Sequence, residues 1–296
     1  MIIVTGAAGF IGSNLILKLN QHNFHHIVAV DKFDNPDKNS NLSKAKVLAT
    51  IDRDSFIAWA RDNAEAIEFI FHLGARTDTL EQNMDLLREL NTEYTKRVWE
   101  LCTEEQIPLI YASSAATYGD GSLGFSDDKD LLPRLKPLNA YAQSKHEFDL
   151  WAITQENQPF YWSGLKFFNV YGPNEEHKGK MASMIHQAFI QIESTGKVRL
   201  FKSHHPDYAH GEQKRDFIHV DEVTDTLIKL MHHRKNPGIY NLGTGKARSF
   251  NEMVRQVFES LNKPVSIEYI DMPEHLKDAY QYFTEAEMTQ LYPSIS

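Results

Sequence analysis

Three glycines at a spacing of three, Gly6, Gly9 and Gly12, follow directly on an apolar run that begins at the second residue of the chain. Ile2–Thr5 reads as a strand, and Ile11–Asn20 repeats its apolar residues with the period of a helix. A strand that turns on glycine straight into a helix is a cradle for a dinucleotide. One glycine permits the tight turn, one lets backbone approach a pyrophosphate, and one lets the helix pack on the strand. The helix N-terminus then offers free N–H groups to the phosphates. An acid belongs at the end of the next strand, and Asp31 stands there, closing the run Ile27–Asp31 nineteen residues past Gly12.

The alternation continues. Further strand runs are Glu68–His72, Leu109–Ser113 and Gly164–Phe168, separated by helical patterns at Asp54–Asp62, Leu87–Glu104 and Tyr141–Gln155. Such a chain builds βαβ units, and near-continuous apolar strands imply a sheet covered on both faces. The expected fold is α/β: a Rossmann-like doubly wound parallel sheet with a smaller, mixed C-terminal substrate domain. After about residue 170 the pattern loosens. Asn169–Asn174 reads as a turn-rich break, a helix is expected around Met181–Glu193, and His204–Glu212 is polar and irregular. Strand and helix signals return at Phe217–Val220, Val223–His233, Ile239–Leu242 and Phe250–Leu261. This divides the chain into a dinucleotide-binding domain over 1–168, rejoined by about 216–245, and a substrate-binding domain from 169–215 and 246–296. There is no internal repeat or low-complexity segment.

Asp31 suits the ribose hydroxyls of NAD, whereas Lys32, Lys38 and Arg53, close by in sequence, suit the 2′-phosphate of NADP. The residues leave that choice open. Tyr141 and Lys145 stand four apart and share one helix face. A free tyrosine has a pKa of about 10 and is a poor base at neutral pH. A neighbouring ammonium is expected to lower it, so that Tyr141 takes a proton from a substrate alcohol while hydride leaves for a nicotinamide. Ser114, at the carboxyl end of the strand at Leu109, is expected to hold the same oxygen by hydrogen bond.

Composition removes other classes. With 31 basic and 40 acidic side chains the formal charge is −9, which argues against a nucleic-acid binder. No apolar run approaches the roughly 20 residues that span a bilayer, and the N-terminus lacks the basic region of a signal peptide. A single cysteine, Cys102, excludes an internal disulfide and a Cys-rich zinc site, so a reducing, cytoplasmic setting is expected. No metal is expected either, since the densest histidine cluster, His204, His205 and His210 with Asp207, reads as a loop.

Together these residues resemble the extended short-chain dehydrogenase/reductase superfamily, in its branch acting on sugar nucleotides. Arg215-Asp216-Phe217-Ile218-His219-Val220-Asp221 and Tyr240-Asn241-Leu242-Gly243-Thr244-Gly245 are similar to segments of that branch. Dehydratases of the branch carry an acidic pair after the serine; here Ala115 and Ala116 precede Thr117, leaving epimerisation or simple oxidoreduction. Phe167-Phe168-Asn169-Val170-Tyr171-Gly172-Pro173, followed by His177-Lys178-Gly179-Lys180-Met181-Ala182-Ser183, resembles the family of ADP-heptose 6-epimerases. So does the run from Leu276-Lys277 to Tyr280-Gln281.

That resemblance implies a mechanism. Tightly held NADP oxidises C6″ of the heptose, the ketone turns over, and hydride returns to its other face. Tyr141 serves one side as acid/base and Lys178 the other. The implied cofactor contacts are Gly6, Gly9, Phe10, Ile11, Gly12, Asp31, Lys32, Lys38, Arg53, Leu73, Gly74, Ala75 and Asn91, with Tyr141 and Lys145. Asn91 is also the helix asparagine that braces the site. Implied substrate contacts are Ser114, Asn169, Val170, Lys180, Phe201, Lys202, Arg215 and Tyr280. A homo-oligomer, a homopentamer by resemblance, and a role in the inner core of bacterial lipopolysaccharide are implied too. The sequence departs from the pattern at Lys180, where some members have serine, and in an apparent insertion at 203–213. It also stops at Ser296, where members run on through another helix. The rival readings are a UDP-hexose 4-epimerase, a non-catalytic NADP-binding regulator, and a dehydrogenase that releases its cofactor.

Overall fold

The chain is described from a computed structural model, over residues 1–277 and 280–291. Seven strands form one parallel sheet: β1 (Ile2–Thr5), β2 (Ile27–Asp31), β3 (Ala49–Asp52), β4 (Phe69–His72), β5 (Leu109–Ser114), β6 (Trp162–Phe167) and, far along the chain, β10 (Gly238–Leu242). Their spatial order is β10-β6-β5-β4-β1-β2-β3.

Alternation along the strands sorts the core into two layers. Ile2, Val4, Ile27, Ala29, Phe69, Phe71, Ile110 and Leu165 pack on one face against α1 (Phe10–Gln21) and α8 (Val220–His233). Ile3, Val28, Val30, Ile70, Leu109 and Tyr111 pack on the other against α3 (Phe56–Asp62), α5 (Tyr94–Glu104) and α6 (Ala140–Ala152). Side chains of a strand point alternately to its two faces, so strands apolar at every position must be covered twice. The doubly wound sheet follows from that.

The strand order reverses between β1 and β4, which pair in register from Ile2 with Phe69 to Thr5 with His72. Open α/β sheets bind ligands at such a switch point. The glycine turn leaves β1 at this place.

Smaller sheets follow. β7 (Asn169–Tyr171), β9 (Lys214–His219) and β11 (Ala247–Ser249) form one, and β8 (Val198–Phe201) with β12 (Ile267–Ile270) forms another. α7 (Met184–Thr195) and α9 (Phe250–Ser260) close a third apolar cluster around Ile192, Leu200, Val254 and Phe258. β7 lies inside the stretch that reads as a turn-rich break; only its parallel pairing with β9 makes it a strand. Sequence patterning also passes over β3, β8, β11 and β12, because these edge strands, unlike the equally short β1 and β4, carry no continuous run of buried apolar residues.

The helix expected over Leu87–Glu104 is interrupted. A short α4 (Met84–Leu87) passes into a π-turn at Arg88–Glu93 before α5 begins. A helix expected from Met181 starts instead at Met184, where the Ser183 hydroxyl accepts from the His186 N–H at 3.1 Å. Part of the quoted run between Leu276 and Gln281 lies outside the described residues. Among the described residues no helix is long and apolar enough to cross a membrane.

Candidate active site

The glycine turn is too tight for any other residue. Gly6 has φ +65°, and a Cβ there would come within 2.7 Å of Gly74 Cα; a Cβ on Gly12 would collide with the Gly6 carbonyl. Gly9 precedes the first turn of α1 and carries no capping side chain, so the helix N–H groups stay available. A cleft of about 540 Å³ opens there. Gly6, Gly9, Phe10, Ile11 and Gly12 line it, with Leu73, Gly74 and Ala75 and with Asp31, Lys32, Lys38 and Arg53. These residues fit a dinucleotide, because the cradle is one a Cβ would fill.

Asp31 is buried and fully engaged. Its carboxylate accepts from the Ala8 N–H at 3.0 Å, the Lys32 N–H at 2.8 Å and the Lys38 ammonium at 2.6 Å. Lys32 meets Asp54 at 2.5 Å, which also pairs with Arg53 at 2.9 Å.

Of the expected cofactor contacts, Asn91, Tyr141 and Lys145 do not line this cleft, and neither does Ser114. The Asn139 side chain caps α6, accepting from the Ala142 N–H at 2.8 Å, and so fixes where Tyr141 and Lys145 fall. The Ser114 hydroxyl, which accepts from the Ala116 N–H at 3.2 Å, lies near enough to the Tyr141 phenol to act on its titration. The expected lowering of the phenol is not what its surroundings produce. Desolvation is the largest influence and pushes it above its ordinary value, with Ser114 opposing. Burial pushes the Lys145 amine down to about 8.

His72, at the end of β4, is buried and neutral. Its Nδ1 meets Thr5 Oγ1 at 2.7 Å and its Nε2 meets Thr95 Oγ1 at 3.0 Å. Burial, with the Lys145 charge adding to it, pushes the imidazole down to about 3. Asn91 lies in the π-turn and is fully buried. Its amide donates to the Arg76 carbonyl at 3.0 Å and the Ser144 hydroxyl at 2.9 Å, and its oxygen accepts from the Arg76 N–H at 2.7 Å.

Lys178 reaches the cleft from a loop between β7 and α7, with its ammonium 5.4 Å from the centre of the Phe10 ring. Burial pushes the amine below its ordinary value, and Glu175 opposes this. The buried Glu175 carboxylate closes the loop by accepting from the Gly172 N–H at 3.2 Å, the Ser183 N–H at 2.5 Å and the Ser183 hydroxyl at 2.7 Å. Asn41 pins the loop to the glycine turn, donating to the Ala8 carbonyl at 3.0 Å and lying 3.1 Å from His177 Nδ1.

The expected substrate residues divide. Arg215 is buried on β9; its guanidinium donates to the Lys214 and Gln281 carbonyls and lies 5.7 Å from the Tyr280 and Phe250 ring centres. The Tyr280 hydroxyl accepts from Gln213 at 3.1 Å. Asn169 and Lys180 are exposed, Val170 and Phe201 half-buried. Lys202 pairs with Asp271 at 3.0 Å. In the apparent insertion, His205 and Tyr208 pack at a tilt against Tyr282 with ring centres 5.2 and 5.3 Å away. Among the described residues no group of three His, Cys, Asp or Glu side chains converges as metal ligands.

The architecture matches a family model, the NAD dependent epimerase/dehydratase family, over residues 2–243. The chain belongs to that family. It is an isomerase, an epimerase on a nicotinamide-binding fold. The enzyme is 46% identical to the ADP-L-glycero-D-manno-heptose-6-epimerase of Fusobacterium nucleatum, over 98% of this chain and 91% of that one. It is 47% identical to the enzyme of that name from Nitratidesulfovibrio vulgaris, over 98% and 90%. The crystal structure of the Helicobacter pylori ADP-L-glycero-D-manno-heptose-6-epimerase superposes with a TM-score of 0.85 at 30% identity, covering 99% and 89%.

Several residues of the epimerase's site escaped sequence reading. Asp216, within the motif that begins at Arg215, is fully buried. It accepts from the Thr244 N–H and hydroxyl at 2.8 and 2.6 Å, the Gly245 N–H at 2.8 Å and the Ala286 N–H at 3.0 Å. It therefore joins two motifs that lie apart in sequence. His72, Asn41 and Glu175 gave no signal, since a lone polar residue acquires a role only from what folds against it. Lys166 did leave one: a charge in an otherwise apolar strand.

Proposed function

We propose that the protein inverts C6″ of ADP-D-glycero-β-D-manno-heptose to give the L-glycero epimer, using bound NADP. Relatives of that name, 46–47% identical over nearly the whole chain, support the substrate. Lys178 carries the reading. It is a desolvated amine lining the cofactor cleft, brought there by the loop between β7 and α7, whereas Tyr141 is carried by α6. An epimerase that rotates its ketone about one tyrosine, as for a UDP-hexose, needs no such group.

The glycine turn, Leu73–Ala75 and the residues around Asp31 would hold the cofactor, together with Lys145 and Asn91. When bound, it supplies a hydride acceptor and donor at the sugar carbon. Tyr141 would take the proton from the C6″ hydroxyl, and Ser114 would hold the oxygen. Lys178 would return a proton to that oxygen from the other side. Lys145 stands one turn further along α6, its amine pushed down to about 8 by burial. NADP rather than NAD is favoured by the lysines and arginine around Asp31, whose own carboxylate is already taken by two N–H groups and Lys38. Residues 169–215 and 246–296 would form the substrate-binding part, with Asn169, Val170, Lys180, Phe201, Lys202, Arg215 and Tyr280 toward the ADP-sugar.

A second reading of Lys178, a ligand for the cofactor's phosphates, is favoured by its place over Phe10 at the start of α1. NMR of the ADP-heptose with no cofactor added separates the two. Wild type is expected to form the L-glycero epimer, and Lys178→Met to form none while keeping its cofactor. Loss of cofactor from Lys178→Met would support the phosphate role. No conversion by folded, NADP-loaded wild type would overturn the substrate.

A further inference from the structure

Behind Ser114 lies an ion pair that the reaction does not use. Lys166 on β6 and Asp149 on α6 are both fully buried, with Lys166 Nζ 2.7 Å from Asp149 Oδ2. A buried pair of this kind contributes little to stability, because desolvation offsets the attraction, and an apolar pair of the same volume often does as well. Its presence calls for another role.

The partners of the pair suggest one. Asp149 also accepts from the Tyr111 hydroxyl at 3.0 Å and the Ser113 hydroxyl at 2.6 Å, both on β5. Ser113 and Lys166 are register partners on neighbouring strands, and Tyr111 is opposite Gly164, where any Cβ would strike the tyrosine ring. Lys166 makes one more bond, to Thr117 Oγ1 at 2.7 Å. An ammonium can only donate, so the Thr117 oxygen accepts there and turns its single proton elsewhere. That proton goes to the Ser114 carbonyl, at 2.8 Å. The relay has one direction: Lys166, Thr117, Ser114.

The other end is equally specific. Asp149 follows Tyr141 and Lys145 at intervals of four on α6, so all three share one stripe of the helix. One buried carboxylate therefore ties the helix bearing Tyr141 and Lys145 to the strand bearing Ser114.

We propose that the Asp149–Lys166 pair, acting through Thr117, is a positioning device that sets the Ser114 hydroxyl against the Tyr141 phenol. The inference rests on the reading of Ser114 as the residue that holds the reacting oxygen. A hydroxyl that must follow a proton transfer has to be held to within a few tenths of an ångström. A charged, fully satisfied network does this better than an apolar contact, which tolerates sliding.

The test uses the cofactor-loaded enzyme and four variants, two at Thr117, Ser114→Ala, and Ser114→Ala combined with Thr117→Val. Thr117→Val keeps the shape and removes the hydroxyl; Thr117→Ser keeps the hydroxyl and removes the methyl. Thr117→Val is expected to lower kcat at least tenfold with KM, cofactor content and melting midpoint little changed, and Thr117→Ser to recover to within threefold of wild type. In a Ser114→Ala background, Thr117→Val is expected to cost nothing further, since its effect passes through Ser114. A Thr117→Val enzyme within twofold of wild-type kcat overturns the proposal. So does a Thr117→Ser enzyme as impaired as Thr117→Val, or full additivity with Ser114→Ala. If Ser114→Ala alone epimerises at the wild-type rate, the reading of Ser114 fails instead.

Discussion

The Asn91 amide donates to the Ser144 hydroxyl at 2.9 Å, and this bond ties the π-turn to the helix between Tyr141 and Lys145. A π-turn costs helical regularity and is found mostly at functional sites; here it turns Asn91 inward, where it holds both the Arg76 backbone and α6. Asn91→Leu leaves those groups without a partner. We expect a loss of about 1–3 kcal/mol of stability, the cost of an unsatisfied buried polar group, and a fall in kcat larger than any rise in KM. Denaturant unfolding and steady-state kinetics on one preparation check both.

Gly12→Ala tests the cradle. The added methyl would collide with the Gly6 carbonyl, in backbone that cannot give way without moving the turn. The variant is expected to fold with reduced stability and to purify without nicotinamide cofactor. Absorbance and extraction of the bound nucleotide would measure this. Full cofactor content would show that the turn is not its seat.

Cofactor choice is open to a direct trial. Lys38 neutralises Asp31, and Arg53 shares Asp54 with Lys32. If these cations receive a 2′-phosphate, Lys38→Ala or Arg53→Ala should weaken NADP by at least tenfold, the value of one charge-assisted contact of about 1.5–3 kcal/mol. NAD binding should change far less. Equal losses for both cofactors would remove the phosphate role.

His72 sets an acid limit. Its imidazole, ordinarily near 6.5, is pushed down to about 3 by burial, with Lys145 adding to the effect. The unfolded chain then binds more protons than the folded one between those values, so stability rises with pH there. The contribution is complete above about 6.5 and lost as pH falls toward 3, with a span on the order of 5 kcal/mol. His72→Asn should flatten that part of the curve relative to wild type. Parallel curves for the two proteins would show that His72 is not the group responsible.

By itself the sequence determined the parallel sheet and the dinucleotide cradle. Apolar strands covered on both faces leave one architecture, and the steric demands at Gly6 and Gly12 are local, so neither depends on distant partners. The spacing of Tyr141 and Lys145 was legible for the same reason, since four residues on a helix define a face. The resemblance supplied Lys178, but not the loop that Glu175 closes around it. Tertiary structure alone decided the rest. Tyr141 titrates above, not below, its ordinary value because burial outweighs its neighbours. Asp216 organises the turn at Gly243–Gly245, and Lys166 finds Asp149 and Thr117, across gaps that no spacing rule spans. A charge inside a fold takes its meaning from desolvation and from its partners, and both exist only once the chain has closed around it.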